Sequence, residues 1–154
     1  MAAPSLFTSK EVDFLRALIE EGVEFLVVGL AAAALQGAPA VTQDVDLWFA
    51  DLNDPGLKRA LARMRATYVP PTPSTPPLLA GGGTDLFDIV VHMHGLKSFH
   101  EEARAALKVP VGPVVLPVLP LERIIISKRR AGRPKDKAIL PVLEDALRVI
   151  RHRR

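Results

Sequence analysis

The chain has 154 residues, 49% hydrophobic and 24% charged, which is typical of a globular protein long enough for one domain with its own core. It contains no cysteine, which excludes disulfides and thiolate metal sites, and its longest apolar run, 25–35, is shorter than the ~20 residues of a membrane span. The net charge of +3 is uneven, because residues 1–122 carry 9 basic and 14 acidic side chains whereas residues 123–154 carry 11 and 3. This basic C-terminal part fits phosphate or nucleic-acid binding and a solvated helix face equally well.

The N-terminal segment predicts a helix and not a secretory signal, because acidic residues occur where a signal peptide is basic and then apolar. Thr8 and Glu11 have the spacing of a capping box, and apolar residues follow at helical intervals until Gly22. This pattern predicts a helix at about 9–21. Without a signal or a membrane span, we expect a cytoplasmic protein.

The next segment predicts a strand, a glycine turn and a short helix. Residues 25–28 are continuously apolar, as in a strand covered on both faces. Gly29 ends this strand, and the alanine-rich segment 30–36 predicts a short helix that Pro39 prevents from continuing.

A second strand, predicted at 44–50, carries two acids in an apolar setting. Because successive strand side chains point to opposite faces, Asp44 and Asp46 share one face while Val45 points into the core. Trp48 lies on the face of Asp46 and could stack on a base, although a single tryptophan is more often part of the core.

The middle of the chain predicts a helix, a brief strand and a long loop. Asp54 followed by proline has the pattern of an N-cap and a first helical turn. Residues 68–69 predict a brief strand, and five prolines and three glycines in 70–83 predict a loop without regular structure beside a site.

A third acid belongs to the strand predicted at 85–91, where alternation places Asp88 and His92 on one face. Asp85 could supply the acid on this face only if the strand alternated or paired differently. We favour Asp88 because apolar residues flank it on both sides. His92 and His94 share this face, but without further zinc-ligand spacing we interpret them as histidines at a solvent-exposed strand end.

The C-terminal part predicts a helix at 99–107, an edge hairpin at 109–119 and a helix from 121 to about 130. Such an exposed edge would permit an oligomer. Pro134 restarts helical structure, and Pro141 should either kink that helix or begin a separate one.

Three carboxylates from two strands, beside a glycine turn, indicate a hard-cation site facing a phosphate site. Mg²⁺ (or Mn²⁺) prefers oxygen ligands and typically takes one or two carboxylates together with waters and substrate phosphates. A pair of such ions can activate a hydroxyl and stabilise a leaving pyrophosphate. Gly29 would allow phosphates to approach the backbone near the start of the following helix.

The ordered motifs resemble those of the nucleotidyltransferase superfamily with the DNA polymerase β-like fold. A strand, Gly29-Leu30, thirteen further residues, Asp44-Val45-Asp46 and then Asp88 in a later strand follow the order of that family. The segment LPLERIIISKRRAGRPKDKAIL is similar to the C-terminal signature of small bacterial members, the minimal and abortive-infection-toxin types. In this segment Lys128 and the run 133–136 match the lysine and the R-P-K-D helix start. The resemblance covers about residues 23–147.

The resemblance implies an α+β fold in which helices pack on a small mixed sheet and a helical extension follows. It implies one domain over 1–154, with a core at about 23–119 and C-terminal helices at about 120–150. It also implies Mg²⁺-dependent transfer of a nucleoside monophosphate from an NTP to a hydroxyl of RNA, protein or a small molecule, in some relatives within a toxin–antitoxin or defence system.

The same resemblance assigns roles to individual residues. Asp44 and Asp46 would hold the metal ions, and Asp88 would be the third ligand and a base for the acceptor. Gly29 with the adjoining Leu30, and Lys128, would contact the nucleotide phosphates. Asp136 could orient Lys128 or assist a hydroxyl. Alternatively, Lys128 and Asp136 form a salt-bridged helix junction, with Asp136 stabilising a helix N-terminus.

The chain departs from the family pattern at two positions on the nucleotide side. Leu30 stands where relatives have Gly or Ser, and the segment 39–42 lacks the arginine that small relatives often carry. These departures leave a second hypothesis open, namely a catalytically degenerate protein that binds a protein or RNA partner, such as one member of a toxin–antitoxin pair.

Overall fold

Over residues 6–153, the part of the chain that it describes, the computed structural model has six helices and seven strands. The elements in chain order are α1 (Ser9–Glu20), β1 (Phe25–Val28), α2 (Gly29–Leu35), β2 (Val45–Phe49), α3 (Pro55–Arg63), β3 (Thr67–Val69), β4 (Leu78–Ala80), β5 (Phe87–Val90), α4 (Phe99–Ala103), β6 (Leu107–Val111), β7 (Val114–Val118), α5 (Leu121–Ala131) and α6 (Pro134–His152). None of these helices combines the length and apolar character that crossing a membrane requires.

Five strands form one mixed sheet in the order β5-β2-β1-β7-β6, and β3 pairs with β4 in a separate two-stranded sheet. Strand β1 is antiparallel to β2 and parallel to β7, while β2 is parallel to β5. The α+β architecture with a mixed sheet and C-terminal helices is therefore confirmed.

Burial follows the apolar pattern of the sequence. All four residues of β1 are buried, and Val45 and Leu47 of β2 point into the core as alternation predicts. Trp48 is also buried and meets the ring of Phe99 edge-on at 5.4 Å, so it is a core residue. Helix α2 packs on β1, β2 and α5, and α5 packs on α6. This packing brings the C-terminal helices next to the acidic strand.

The first helix shows how local signals define an element. The backbone N–H of Thr8 donates to Glu11 Oε1 at 2.7 Å, and the N–H of Glu11 donates to Thr8 Oγ1 at 3.3 Å, which completes the predicted capping box. The helix stops before Gly22, whose φ of +71° suits a residue without a side chain. The N-cap at Asp54 is also confirmed, because its carboxylate accepts from Gly56 N–H at 2.8 Å.

Several element boundaries differ from the sequence predictions. Strands β2 and β5 are shorter than 44–50 and 85–91, and α2 begins at Gly29 instead of Leu30. The segment 70–83 is not devoid of regular structure, since β4 pairs with β3 across a turn closed by Thr72 and Thr75. The five prolines all lie between β3 and β4 and none is inside either strand, so the ladder hydrogen bonds of β4 remain available.

In the C-terminal part, one prediction is wrong and one of the two alternatives for Pro141 is excluded. The helix expected at 99–107 ends at Ala103, because Leu107 pairs with Val118 and begins strand β6. No separate helix begins at Pro141, which lies inside the continuous helix α6. Proline removes one backbone hydrogen bond there, and the packing of α6 on α5 outweighs that loss.

Candidate functional site

Strand pairing brings the predicted acids to one region of the sheet. In the register of β2 with its two neighbours, Asp46 lies opposite Val28 of β1 and opposite Asp88 of β5. Asp44 directly precedes β2. Two acids that are 42 positions apart in the sequence are therefore direct neighbours on adjacent strands.

All three acids line a cavity of about 330 Å³, which we call the carboxylate cavity. Its lining residues are Leu30, Thr42, Asp44, Asp46, Asp88, Lys128, Arg133, Lys135, Asp136 and Ile139. Every candidate site residue predicted from the sequence is among them except Gly29. The acids come from the sheet and most of the cations from the start of α6, so opposite charges face each other across the cavity.

Gly29 borders a second, adjoining cavity of about 230 Å³, which we call the histidine cavity. Its lining residues are Val28, Gly29, Asp46, Val90, His92, Met93, His94, Ile124, Ser127, Lys128, Ala131, Arg133 and Asp136. Asp46, Lys128, Arg133 and Asp136 line both cavities. The two cavities therefore meet at Asp46.

The close approach of Asp46 explains the glycine at position 29. Gly29 has φ +70°, and a Cβ added to it would lie 2.7 Å from Oδ2 of Asp46. Both the backbone conformation and the neighbouring carboxylate thus disfavour a side chain at this position. The glycine turn serves to bring the backbone of β1 and α2 next to the acid of β2.

The acids of the carboxylate cavity perturb one another. Burial, followed by the charge of Asp88, raises the pKa of the Asp46 carboxyl above its usual range, and Lys128 acts in the opposite direction. Partial burial and the charge of Asp44 likewise raise the pKa of Asp88. The site therefore concentrates negative charge that the protein compensates only in part.

Asp44 sits on a turn closed by its own neighbour. The hydroxyl of Thr42 donates to the carbonyl oxygen of Asp44 at 2.8 Å and accepts from the Asp44 N–H at 3.3 Å. This hydrogen bonding fixes the backbone just before β2 and leaves the Asp44 side chain exposed.

The cationic side of the cavity is organised around Asp136, which is fully buried. Its carboxylate accepts from the Arg133 N–H at 3.1 Å and from Arg133 Nε at 2.7 Å, and Lys128 Nζ lies at 3.4 Å. Burial alone would raise the pKa of Asp136, but Arg133 and Lys128 hold it below its usual value. The interpretation of Asp136 as the acid of a salt-bridged helix start is confirmed.

Gln36 fixes the helix that carries Lys128. Its side-chain amide donates to the carbonyl of Leu119 at 2.9 Å, and its oxygen accepts from the N–H of Leu121 at 2.8 Å. Pro120, the N-cap of α5, provides no side-chain cap, so Gln36 satisfies a free N–H at that helix start. Nothing in the local sequence pattern points to this contact.

Sequence reasoning also gave no site role to Arg133 and Lys135, which line the carboxylate cavity with Lys128. The basic surplus after residue 122 was the available signal, but it does not say which cations face the acids. His92 and His94 are exposed, as expected for a strand end, and their rings meet edge-on with centroids 5.1 Å apart. Within residues 6–153 no group of three His, Asp or Glu side chains is arranged to hold a metal ion.

No protein-family model and no curated protein sequence matches the chain, whereas several solved structures do. The crystal structure of ANT(2'')-Ia in complex with adenylyl-2''-tobramycin aligns with a TM-score of 0.61 and 15% identity, over 88% of this chain and 86% of that one. The chain adopts a nucleotidyltransferase fold.

Two further structures share this nucleotidyltransferase fold. The solution structure of ANT(2'')-Ia aligns with a TM-score of 0.52 and 12% identity, over 92% of this chain and 93% of that one. A nucleotidyltransferase-like protein from Paracoccidioides brasiliensis aligns with a TM-score of 0.56 and 15% identity, over 93% of this chain and 78% of that one. The nucleotidyltransferase fold thus extends over most of the chain, as the motifs imply.

Proposed function

We propose that this protein transfers a nucleoside monophosphate from an NTP to a hydroxyl acceptor with the help of Mg²⁺ or Mn²⁺. The observation that carries the proposal is the direct pairing of Asp46 with Asp88 in a cavity that also contains Asp44. The nucleotidyltransferase fold, spanning most of the chain, supports the same reaction class.

The donor set fits a hard divalent cation. Asp46 and Asp88 are adjacent carboxylates whose pKa values are raised first by burial and then by the charge of a neighbouring acid, which is Asp88 for Asp46 and Asp44 for Asp88. A divalent cation would relieve this repulsion. Mg²⁺ typically uses one or two carboxylates, so a pair with Asp44 close by is sufficient. Once bound, the ion would neutralise phosphate charge and polarise the reacting phosphoryl group.

Other residues at the site would bind the phosphates of the NTP and accept the proton of the acceptor hydroxyl. Lys128, Arg133 and Lys135 supply positive charge for the phosphates of an NTP. Asp88, at the edge of the sheet, is the candidate base for the proton of the acceptor hydroxyl. Gly29 lets the backbone come close to Asp46 and hence to a phosphate held there.

Candidate acceptors are a small molecule, RNA or a protein. One structural neighbour is complexed with adenylyl-2''-tobramycin, an adenylylated small molecule. The similarity of residues 119–140 to small toxin-type relatives supports an RNA or protein acceptor in a toxin–antitoxin system. Incubation with each labelled NTP, Mg²⁺ or Mn²⁺, and total RNA, cell protein or hydroxyl compounds will identify the acceptor.

The decisive test is the double substitution Asp44→Asn with Asp46→Asn, which we expect to abolish label transfer while the circular dichroism spectrum stays native. Asp85→Asn is the matched control, because Asp85 is exposed just before β5 and does not line the carboxylate cavity. Full activity in the double variant would refute the assignment, and so would an equal loss in the control.

A second candidate is a catalytically degenerate protein that binds a protein or RNA partner, for example as an antitoxin. The observation that favours it is Leu30, an apolar side chain in the carboxylate cavity at the position where relatives carry Gly or Ser. Under this alternative the purified protein neither binds an NTP nor transfers label to any acceptor. Measured NTP binding at micromolar concentration would contradict it.

A further inference from the structure

The histidine cavity is a second compartment that opens on the same carboxylate as the proposed metal and nucleotide site. One wall is the end of β5 and the following turn, with His92, Met93 and His94, and the other is α5 with Ile124 and Ser127. Because Asp46 and Lys128 line both cavities, any group seated in the histidine cavity lies beside the phosphates that the carboxylate cavity would hold.

The wall that carries the histidines is held against α5. Gly95 has φ +72°, and a Cβ added to it would lie 2.8 Å from Cβ of Arg130, so this turn and α5 are in close contact. The rings of His92 and His94 meet edge-on, which orients each imidazole relative to the other. The two imidazoles thus form one polar surface beside the cavity.

The charges around the histidine cavity favour an anionic occupant. Asp136 is the buried partner of both Arg133 and Lys128, so two cations share one carboxylate. The other acid of the lining is Asp46, which the proposed function assigns to the metal ion. With Asp46 engaged by the metal ion, the lining keeps two cations, which it shares with the carboxylate cavity, against the single carboxylate of Asp136, together with hydrogen-bonding groups on His92 and Ser127. A polycationic acceptor such as an aminoglycoside finds no free carboxylate there.

We propose that the histidine cavity is the acceptor subsite and that it takes a sugar hydroxyl carried next to a phosphate group, with His92 and His94 as the recognition residues. This inference rests on the proposed nucleotidyl transfer. A volume of about 230 Å³ is below the ~300–1,000 Å³ of pockets for drug-sized ligands, so it suits one sugar ring with the remainder of the acceptor outside.

In the reaction, the oxygen of the acceptor hydroxyl forms a bond to the α-phosphorus of the NTP. The bond between that phosphorus and the bridging oxygen of the β-phosphate breaks, and pyrophosphate leaves with the electron pair. The hydroxyl proton passes to the Asp88 carboxylate and from there to water. The product is a phosphodiester, and nothing is oxidised or reduced.

The test compares acceptors that differ in the phosphate. Ribose 5-phosphate and a short oligoribonucleotide with a free 3′-hydroxyl are the two anionic probes, and ribose and tobramycin are the neutral and cationic comparisons. We expect transfer to one or both anionic probes in preference to ribose and tobramycin. The better of the two anionic probes shows whether the natural acceptor is a free sugar phosphate or the end of a polynucleotide. Preferential transfer to tobramycin or equal transfer to ribose would overturn the proposal.

The histidines are tested with the variants His92→Ala and His94→Ala, and with His100→Ala as the control. His100 is exposed and pairs with Glu24 at 3.5 Å, and it does not line the histidine cavity. We expect the two cavity variants to raise the KM for the anionic acceptor about tenfold or more while the Kd for the NTP and the melting temperature stay the same. A weakened NTP Kd with an unchanged acceptor KM would overturn the subsite assignment.

A binding measurement separates this inference from the proposed function. Titration of ribose 5-phosphate into NTP-free protein, followed by the imidazole proton resonances, reports occupancy of the histidine cavity without any transfer. Shifts of His92 and His94 but not His100 support the subsite even if no NTP is consumed, in which case only the proposed transfer fails. Absence of selective shifts up to millimolar ligand overturns the subsite.

Discussion

Replacement of Gly29 by alanine tests the arrangement that brings the backbone next to Asp46. The substitution has two costs. A left-handed φ of +70° costs an L-residue about 1–2 kcal/mol, and the new Cβ would lie only 2.7 Å from Asp46 Oδ2. Carbon–oxygen contacts are ordinarily ~3.3 Å or longer, so the carboxylate must leave its rotamer at a further cost of about 0.5–1.5 kcal/mol.

Gly22→Ala is the matched control, because Gly22 has φ +71° and no heavy atom lies within 4 Å of its added Cβ. The control should lose about 1–2 kcal/mol of unfolding free energy. Gly29→Ala should lose about 1.5–3.5 kcal/mol, or a melting temperature lower by several degrees. Urea unfolding gives the free energy of unfolding of both variants. In a separate titration, the affinity for Mn²⁺ should be weaker in Gly29→Ala and unchanged in Gly22→Ala.

The contact itself is isolated by repeating Gly29→Ala in an Asp46→Ala background. Without the carboxylate, the excess cost over Gly22→Ala should disappear, because only the backbone conformation remains unfavourable. Equal unfolding free energies and equal Mn²⁺ affinities for the two single variants would refute the reasoning that Gly29 is required by Asp46.

The elements predicted well from the sequence are those whose signals lie within a few residues. In the capping box at Thr8 the two partners are three residues apart, and at the N-cap Asp54 they are two residues apart. Both partners are therefore visible in a short stretch of sequence. The alternation around Asp46 is equally local, since it depends only on the strand period. These signals located the acidic strand and its core face correctly.

The remaining parts of the site depend on contacts between distant segments. The Gln36 side chain hydrogen-bonds to backbone groups of Leu119 and Leu121, which are 83 and 85 positions away in the sequence. No local sequence pattern predicts such a partner. Lys135 reaches the acids only because α6 starts beside the sheet. Strand β4 was missed for a similar reason, because its pairing with β3 outweighs the local proline content that predicted a loop.

Three further predictions concern single side chains. Leu30→Ser should strengthen NTP binding several-fold in equilibrium titrations, because it restores a hydroxyl and removes apolar bulk from the carboxylate cavity; unchanged or weaker binding would contradict this role. Asp46→Asn should raise the unfolding free energy by about 0.5–2 kcal/mol at neutral pH without metal. The raised pKa of Asp46 means that the charged form is unfavourable when folded, so this gain should shrink as the pH falls below that pKa and vanish below the pKa of the unfolded chain. Glu102→Gln should cost about 3 kcal/mol at neutral pH, because the Glu102 side chain is only 3% exposed and accepts from Arg123 at 2.7 Å. Arg123 lowers the pKa of Glu102, so the pair stabilises the protein above the pKa of the unfolded chain and loses this effect as the pH falls through the folded-state pKa. The control Glu144→Gln removes an exposed ion pair and should cost at most about 1 kcal/mol. Urea unfolding at neutral and acidic pH distinguishes these cases, and a pH-independent cost of Glu102→Gln would show that the charge of Glu102 contributes nothing to stability.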